Sequence, residues 1–122
     1  MSSLNGARID LIGDYALQEG ATYTQQIQFT ESGGGNHNLT NYTSYSVTVR
    51  SSDRDADIIA TGSADYVGDP LNGLLEVTFT ATALPLGTAG AHIWDLYGNL
   101  AGGATQALTR KSVCEIIRAA TP

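Results

Sequence analysis

At 122 residues the chain is long enough to bury one hydrophobic core without metal or disulfide support. Its composition is 42% hydrophobic and only 15% charged, with 14 glycines, which suits strands and tight turns and speaks against surface helices. The net charge is −6, and the six Lys and Arg are scattered, leaving no basic stripe along which phosphates would be neutralised; nucleic acid is excluded as the expected partner.

The single cysteine, Cys114, has no internal disulfide partner, and in Ser112-Val-Cys-Glu-Ile-Ile117 it reads as a small core hydrophobe. No charged and apolar leader opens the sequence, and no apolar run approaches bilayer length. The expectation is a protein made and folded in a cytoplasm, with no membrane partner.

Residues 1–6 lack periodicity and are expected to form a flexible arm, followed by a single domain over residues 7–122. Residues 7–12 are a short strand candidate. Residues 15–20 lead into a strand over 22–30, where Tyr23, Gln25, Ile27 and Phe29 alternate with Thr24, Gln26 and Gln28. Residues 32–37 contain three consecutive glycines and are expected to be a mobile loop with His37 exposed.

The clearest strand follows, with Thr43, Tyr45, Val47 and Val49 on one face and Ser44, Ser46, Thr48 and Arg50 on the other. A polar connection over 51–57 precedes a short apolar strand at 58–61, and Asp69-Pro-Leu-Asn-Gly73 makes a turn. Leu75, Val77 and Phe79 then oppose Glu76, Thr78 and Thr80. Residues 81–86 hold at most a helical turn, and 91–97 and 105–117 read as a closing hairpin joined through the glycine-rich residues 98–103.

About seven short strands separated by turn signals, without a convincing helix, predict an all-β fold, an immunoglobulin-like antiparallel β-sandwich.

The order of these segments carries a resemblance. Leu17-x-x-Gly20-x-x-Tyr23 precedes a strand, Asn38-Leu-Thr-Asn-Tyr42 leads into Val47-Thr-Val-Arg50, and Asp69-Pro-Leu-Asn-Gly-Leu-Leu75 leads into Val77-Thr-Phe79. Leu84-Pro-Leu-Gly87 then precedes Ile93-Trp-Asp-Leu96 and a final strand. Together these resemble a small virion domain of tailed bacteriophages, similar to the N-terminal domain of phage upper baseplate proteins. The match spans roughly residues 15–118, nearly a whole domain. It implies a structural role in the tail, baseplate or fibre-attachment apparatus. In that family the domain often continues into a longer fibre or receptor-binding segment, whereas this sequence stops at the domain boundary, so the expectation is a stand-alone subunit of the tail or a decoration (cement) protein on the capsid.

The sequence offers no catalytic constellation. His37, His92 and Cys114 fall in no recognisable motif, His92 is expected to be a satisfied, partly buried histidine, and no catalytic, cofactor-binding or metal-ligating residue is assigned. Asp53, Asp55 and Asp57 alternate like the first ligands of a calcium loop. Ile58 stands where the loop needs glycine and Ala64 where it needs a bidentate glutamate, which favours a solvated turn; an irregular site completed by Asp65 and Asp69 stays open.

Asn38-Leu-Thr40 and Asn41-Tyr-Thr43 match the glycosylation sequon but read as turn and strand-start residues. Most of the six tyrosines are expected in the core, with Tyr15, Tyr42, Tyr66 and Tyr97 near strand ends where an interface would reach them. The leading expectation is thus a non-enzymatic virion protein, assembled in the host cytoplasm, that acts by contacts with other virion proteins and with copies of itself. A carbohydrate-binding module reading a host surface is the alternative from another class.

Overall fold

The computed structural model describes residues 8–51, 57–110 and 112–119. The arm expected over residues 1–6 and the carboxylates Asp53 and Asp55 lie outside the described residues. Those described fold into an all-β structure whose helical elements are three short 3-10 turns, at Gly13–Tyr15, Pro70–Asn72 and Ala81–Ala83.

The strands are β1 (Leu17–Gln18), β2 (Tyr23–Gln28), β3 (Tyr42–Arg50), β4 (Ile58–Tyr66), β5 (Leu74–Phe79), β6 (Gly90–Leu100), β7 (Thr105–Ala107) and β8 (Ser112–Ile117). They join in one hydrogen-bonded path, β1-β8-β6-β3-β4-β5-β2, with β7 beside β6. The ends of this path, β1 and β2, are consecutive in sequence and separated only by residues 19–22, so the sheet curls back on itself into a nearly closed, barrel-like form.

One strand makes the curl possible. The first half of β4 pairs with β3 as far as Gly62, and its second half pairs with β5 from Ser63 onward. Gly62 lies so close to β5 that a Cβ there would sit 2.8 Å from the Thr78 carbonyl oxygen and 2.9 Å from the Phe79 ring. Only glycine leaves room for that turn from one neighbour to the next.

Alternation fills the interior as the sequence predicts. Val47 and Val49 of β3, Leu75, Val77 and Phe79 of β5, and Trp94 and Leu96 of β6 are buried in one cluster with Leu17, Leu84, Leu108, Cys114 and Ile116. Each such side chain contributes about 1.5–3 kcal/mol by leaving water, so this cluster is the main source of stability.

Four elements depart from the sequence expectation. In the strand candidate over 7–12 the described residues, 8–12, do not form a strand: Leu11 makes a single parallel bridge to Cys114, and the segment lies along β8, with Leu11 N donating to Val113 O and Glu115 N to Leu11 O, each at 2.9 Å. The Trp94 indole N–H holds the same segment through the Ile9 carbonyl at 2.7 Å, and the edge of β8 is thereby covered. The expected final strand over 105–117 is broken in two, because four residues of β6, from Trp94 to Tyr97, face six of the returning chain, from Ala107 to Ser112. The surplus forms a bulge that buries Leu108 and Thr109. Finally, β4 and β6 run past their expected ends, to Tyr66 and Leu100.

The turn between β1 and β2 is locked by Glu19, which is only 4% exposed. Its carboxylate accepts backbone N–H groups from Gly87 at 2.7 Å, Ala89 at 3.0 Å and Ala119 at 3.0 Å. A buried carboxylate is costly unless its lone pairs are satisfied, and here both oxygens are engaged.

Candidate functional site

The divergence of β4 from β3 opens a cleft at one end of the barrel. The two strands pair from Arg50 opposite Ile58, through a register shift before Val49, to Val47 opposite Gly62, and there the ladder ends. Beyond it Tyr42, Tyr45, Ala64, Asp65 and Tyr66 line an open space of about 330 Å³. On the other side of β4 a shallow groove runs along Ser63, Asp65, Glu76 and Thr78, so Asp65 borders both.

Tyr42 owes its position to a missing side chain. Its ring lies on Gly98 of β6, where any Cβ would run into it. A second aromatic contact sets it 5.7 Å, centroid to centroid, from Tyr45. Burial pushes the Tyr45 phenol up to about 12, with Asp65, Tyr42 and Tyr66 adding to the shift. The Tyr45 hydroxyl is buried and has no hydrogen-bond partner among the described residues.

Behind the cleft stands a relay that the sequence did not announce. His37 Nδ1 lies 2.9 Å from a Glu31 carboxylate oxygen, and Nε2 lies 2.7 Å from the Tyr42 hydroxyl. A neutral imidazole satisfies both contacts, donating to Glu31 and accepting from Tyr42. The order carboxylate, imidazole, hydroxyl is that of a nucleophile triad, but burial and then the Glu31 charge raise the Tyr42 pKa, which keeps the phenol protonated at neutral pH. What the relay supplies is a clasp. It ties the glycine-rich hairpin to β3, and His37 is therefore partly buried, at 14% side-chain exposure, rather than exposed as the sequence predicts.

The hairpin itself is closed by backbone bonds: Glu31 N donates to Gly35 O at 2.7 Å, Gly34 N to Glu31 O at 2.9 Å, and His37 N to Phe29 O at 3.0 Å. Three glycines in a row signal a loop but carry no information about what the flanking Glu31 and His37 will grasp.

The other residues singled out by sequence scatter. His92 is partly buried and donates from Nε2 to the Thr88 carbonyl oxygen at 2.7 Å, while its Nδ1 is buried without a partner among the described residues. Cys114 is fully buried in the core. Asp57 is exposed, Asp65 accepts from the Tyr66 N–H, and Asp69 caps the Pro70–Asn72 turn, so these carboxylates do not converge. Asn38 is a turn residue, its side chain accepting the Thr40 N–H at 2.9 Å.

The expectation that most tyrosines are core is not met, since none of the six is fully buried, whereas Tyr15 and Tyr66, both expected where an interface would reach them, are exposed. Among the described residues the Tyr23 hydroxyl donates to the Tyr15 carbonyl at 2.8 Å and the Tyr42 hydroxyl pairs with His37. Among the described residues no helix is long and apolar enough to cross a membrane. No protein-family model and no curated protein sequence matches the chain.

Proposed function

We propose that this chain is a structural module of a tailed-bacteriophage particle that acts by protein–protein assembly, in the tail, baseplate or fibre-attachment apparatus. The order and spacing of its segments, from Leu17-x-x-Gly20-x-x-Tyr23 to Ile93-Trp-Asp-Leu96, support the phage assignment by resemblance. The observation that carries the assembly role is the cleft between β3 and β4, where two strands, each paired on its far side with β6 or β5, face one another without a ladder between them beside exposed tyrosine. The role needs no catalytic residue, metal or cofactor. Repetition by particle symmetry multiplies individually weak contacts with other virion proteins and with copies of itself.

The finer fold belongs to the same proposal. An immunoglobulin-like sandwich has two layers, and the passage of β4 between the β8-β6-β3 strands and the β5-β2 pair supports that description.

A carbohydrate-binding module is the competing reading. One observation favours it: a polar groove of about 470 Å³ on the outer face of β3 and β6, where Tyr97 stands among Thr48, Asp95 and Asn99. Glycan binding by the isolated protein, with and without calcium, tests that reading.

The deciding experiment is copy number and position in intact particles, by quantitative protein analysis and electron-microscopic localisation. A few copies at the tail support the baseplate or fibre-attachment role. Hundreds over the shell replace it with capsid decoration, and absence from particles overturns the virion reading.

A further inference from the structure

The ladder that ends at Val47 and Gly62 leaves a defined set of backbone groups without a strand partner. Val67 N donates to Leu74 O at 2.9 Å, which fixes the phase of the β4–β5 pairing. Antiparallel strands alternate the direction of their backbone groups, so Ser63 and Asp65 face β5 while Ala64 and Tyr66 turn toward the cleft. Leu108 N donates to Leu96 O at 2.8 Å, so Leu96 faces away from β3, and Tyr97 and Asn99 face toward it. Their partners Ser46 and Ser44 therefore bond β6, and Tyr45 turns toward the cleft. In the register of the ladder Tyr45 and Ala64 would form the next hydrogen-bonded pair. The bend at Gly62 carries them apart instead.

Unpaired edges of this kind attract another strand, and natural proteins usually blunt them with charge, proline or cover. Here the Tyr66 N–H is taken by the Asp65 side chain at 2.9 Å, which leaves the N–H and C=O of Tyr45 and Ala64 as the rungs on offer. The buried Tyr45 hydroxyl, without a partner among the described residues, lies at the same place.

Charge defines the guest. Asp65 and Glu76 are directly opposite on β4 and β5, a like-charge pair that disfavours the bare sheet, and no Lys, Arg or His is among the residues lining either groove beside β4. A second copy of this chain, itself at −6, brings the wrong sign.

We infer that the β3–β4 cleft is a strand-addition site for an extended segment of a different protein, one that carries a basic side chain opposite Asp65. The guest pairs its backbone with Tyr45 or Ala64, places its basic group beside Asp65 with the Glu76 charge across β4 adding to the attraction, and gives the Tyr45 hydroxyl a partner. This rests on the assembly reading and names the kind of partner that reading requires.

The test selects a displayed library of random peptides, about ten residues long to match a long strand, on the full chain. Enrichment of alternating β-branched sequences containing Lys or Arg is expected. N-methylation of alternate amides in the selected peptide should weaken binding by about tenfold or more, because it removes the ladder bonds. Asp65→Lys should weaken it about fivefold, the scale of one partly exposed ion pair. A Ser46→Cys, Ser63→Cys double variant provides the switch, since these positions would form the close, non-hydrogen-bonded pair that a disulfide bridges. Oxidised, it should close the cleft and lose the peptide; reduced, it should bind. The inference is overturned if no peptide family is enriched, if the peptide binds oxidised and reduced protein equally, or if N-methylation is tolerated. Particle copy number is read separately, so a chain found in the tail with an inert cleft would defeat this inference and leave the assembly reading standing.

Discussion

The Glu19 carboxylate and the Ala119 amide, a hundred residues apart, meet at 3.0 Å, and the other oxygen of Glu19 holds Gly87 and Ala89. The bonds from Ala119 and Ala89, with a smaller contribution from Gly87, hold the Glu19 pKa below its ordinary 4.5 against the opposing effect of burial. A depressed carboxylate pKa adds stability above the unfolded-state value, and this is lost as pH falls through the folded one. Urea midpoints should therefore be flat near neutrality and fall below the ordinary pKa of 4.5. Glu19→Gln, which puts an amide donor among backbone donors, should be less stable at pH 7 and should fall less steeply in acid. Some slope will remain, because Asp10 is lowered in the same direction by the Val113 N–H and then by Arg8. Equal acid slopes in the two proteins would show that the clip does not govern the response.

Gly98→Ala should cost about 1–3 kcal/mol, the usual range for overpacking, since its Cβ would meet the Tyr42 ring. The same collision would pull Tyr42 from His37 and loosen the hairpin at Glu31. In a Tyr42→Ala background the added methyl has nothing to strike, so the cost of Gly98→Ala should largely vanish. Denaturant unfolding of the two single variants and the double variant measures this coupling; additive costs would mean that the two residues are energetically independent.

The parts of the fold that follow from alternation were readable in the sequence. Tyr45, Val47 and Val49 face inward, Val47 and Val49 fully buried, and Leu75, Val77 and Phe79 are buried as their spacing predicts. The cleft was not readable, because both of its supports lie where strand propensity is weak. The second half of β4 is Gly62-Ser-Ala-Asp-Tyr66, and β6 continues through Gly98-Asn99, sequences that resemble turns. Tertiary contact decides both: Gly62 is needed beside Phe79, and Gly98 beneath Tyr42. The Glu31–His37–Tyr42 relay was hidden for a related reason, since a loop's composition says nothing about which strand its side chains will reach. The Glu19 clip joins groups far apart in sequence, and its donors are backbone amides that any residue would supply.

Trp94 and Ile9 offer a test of how the edge of β8 is protected. Trp94→Phe keeps an aromatic ring in the core but removes the N–H that the Ile9 carbonyl accepts at 2.7 Å. A lost hydrogen bond and a partial cavity together predict a destabilisation of about 1–3 kcal/mol. Its distribution is more telling than its size. Amide exchange at Leu11 and Glu115, which bond across this edge, should accelerate more than at Val49 or Val77 in the centre of the sheet. Uniform acceleration would show only a global loss of stability.

Cys114 reports on the same edge through its chemistry. The thiol is fully buried, and burial pushes its pKa from 9.0 up to about 12, so at neutral pH it is protonated as well as shielded. A raised thiol pKa contributes stability that is intact below the unfolded-state value and is lost as pH rises from about 9 through the folded value. Modification by an aromatic disulfide reagent should therefore be slow at pH 7 and should accelerate with urea in proportion to the unfolded population. Because Leu11 bridges Cys114 directly, Trp94→Phe should add a labelling route that urea barely affects, through lifting of the N-terminal segment alone. If labelling of the variant keeps the full urea dependence of the parent, the segment and the sheet open together, and the indole bond is one contributor to a single cooperative unit rather than a latch.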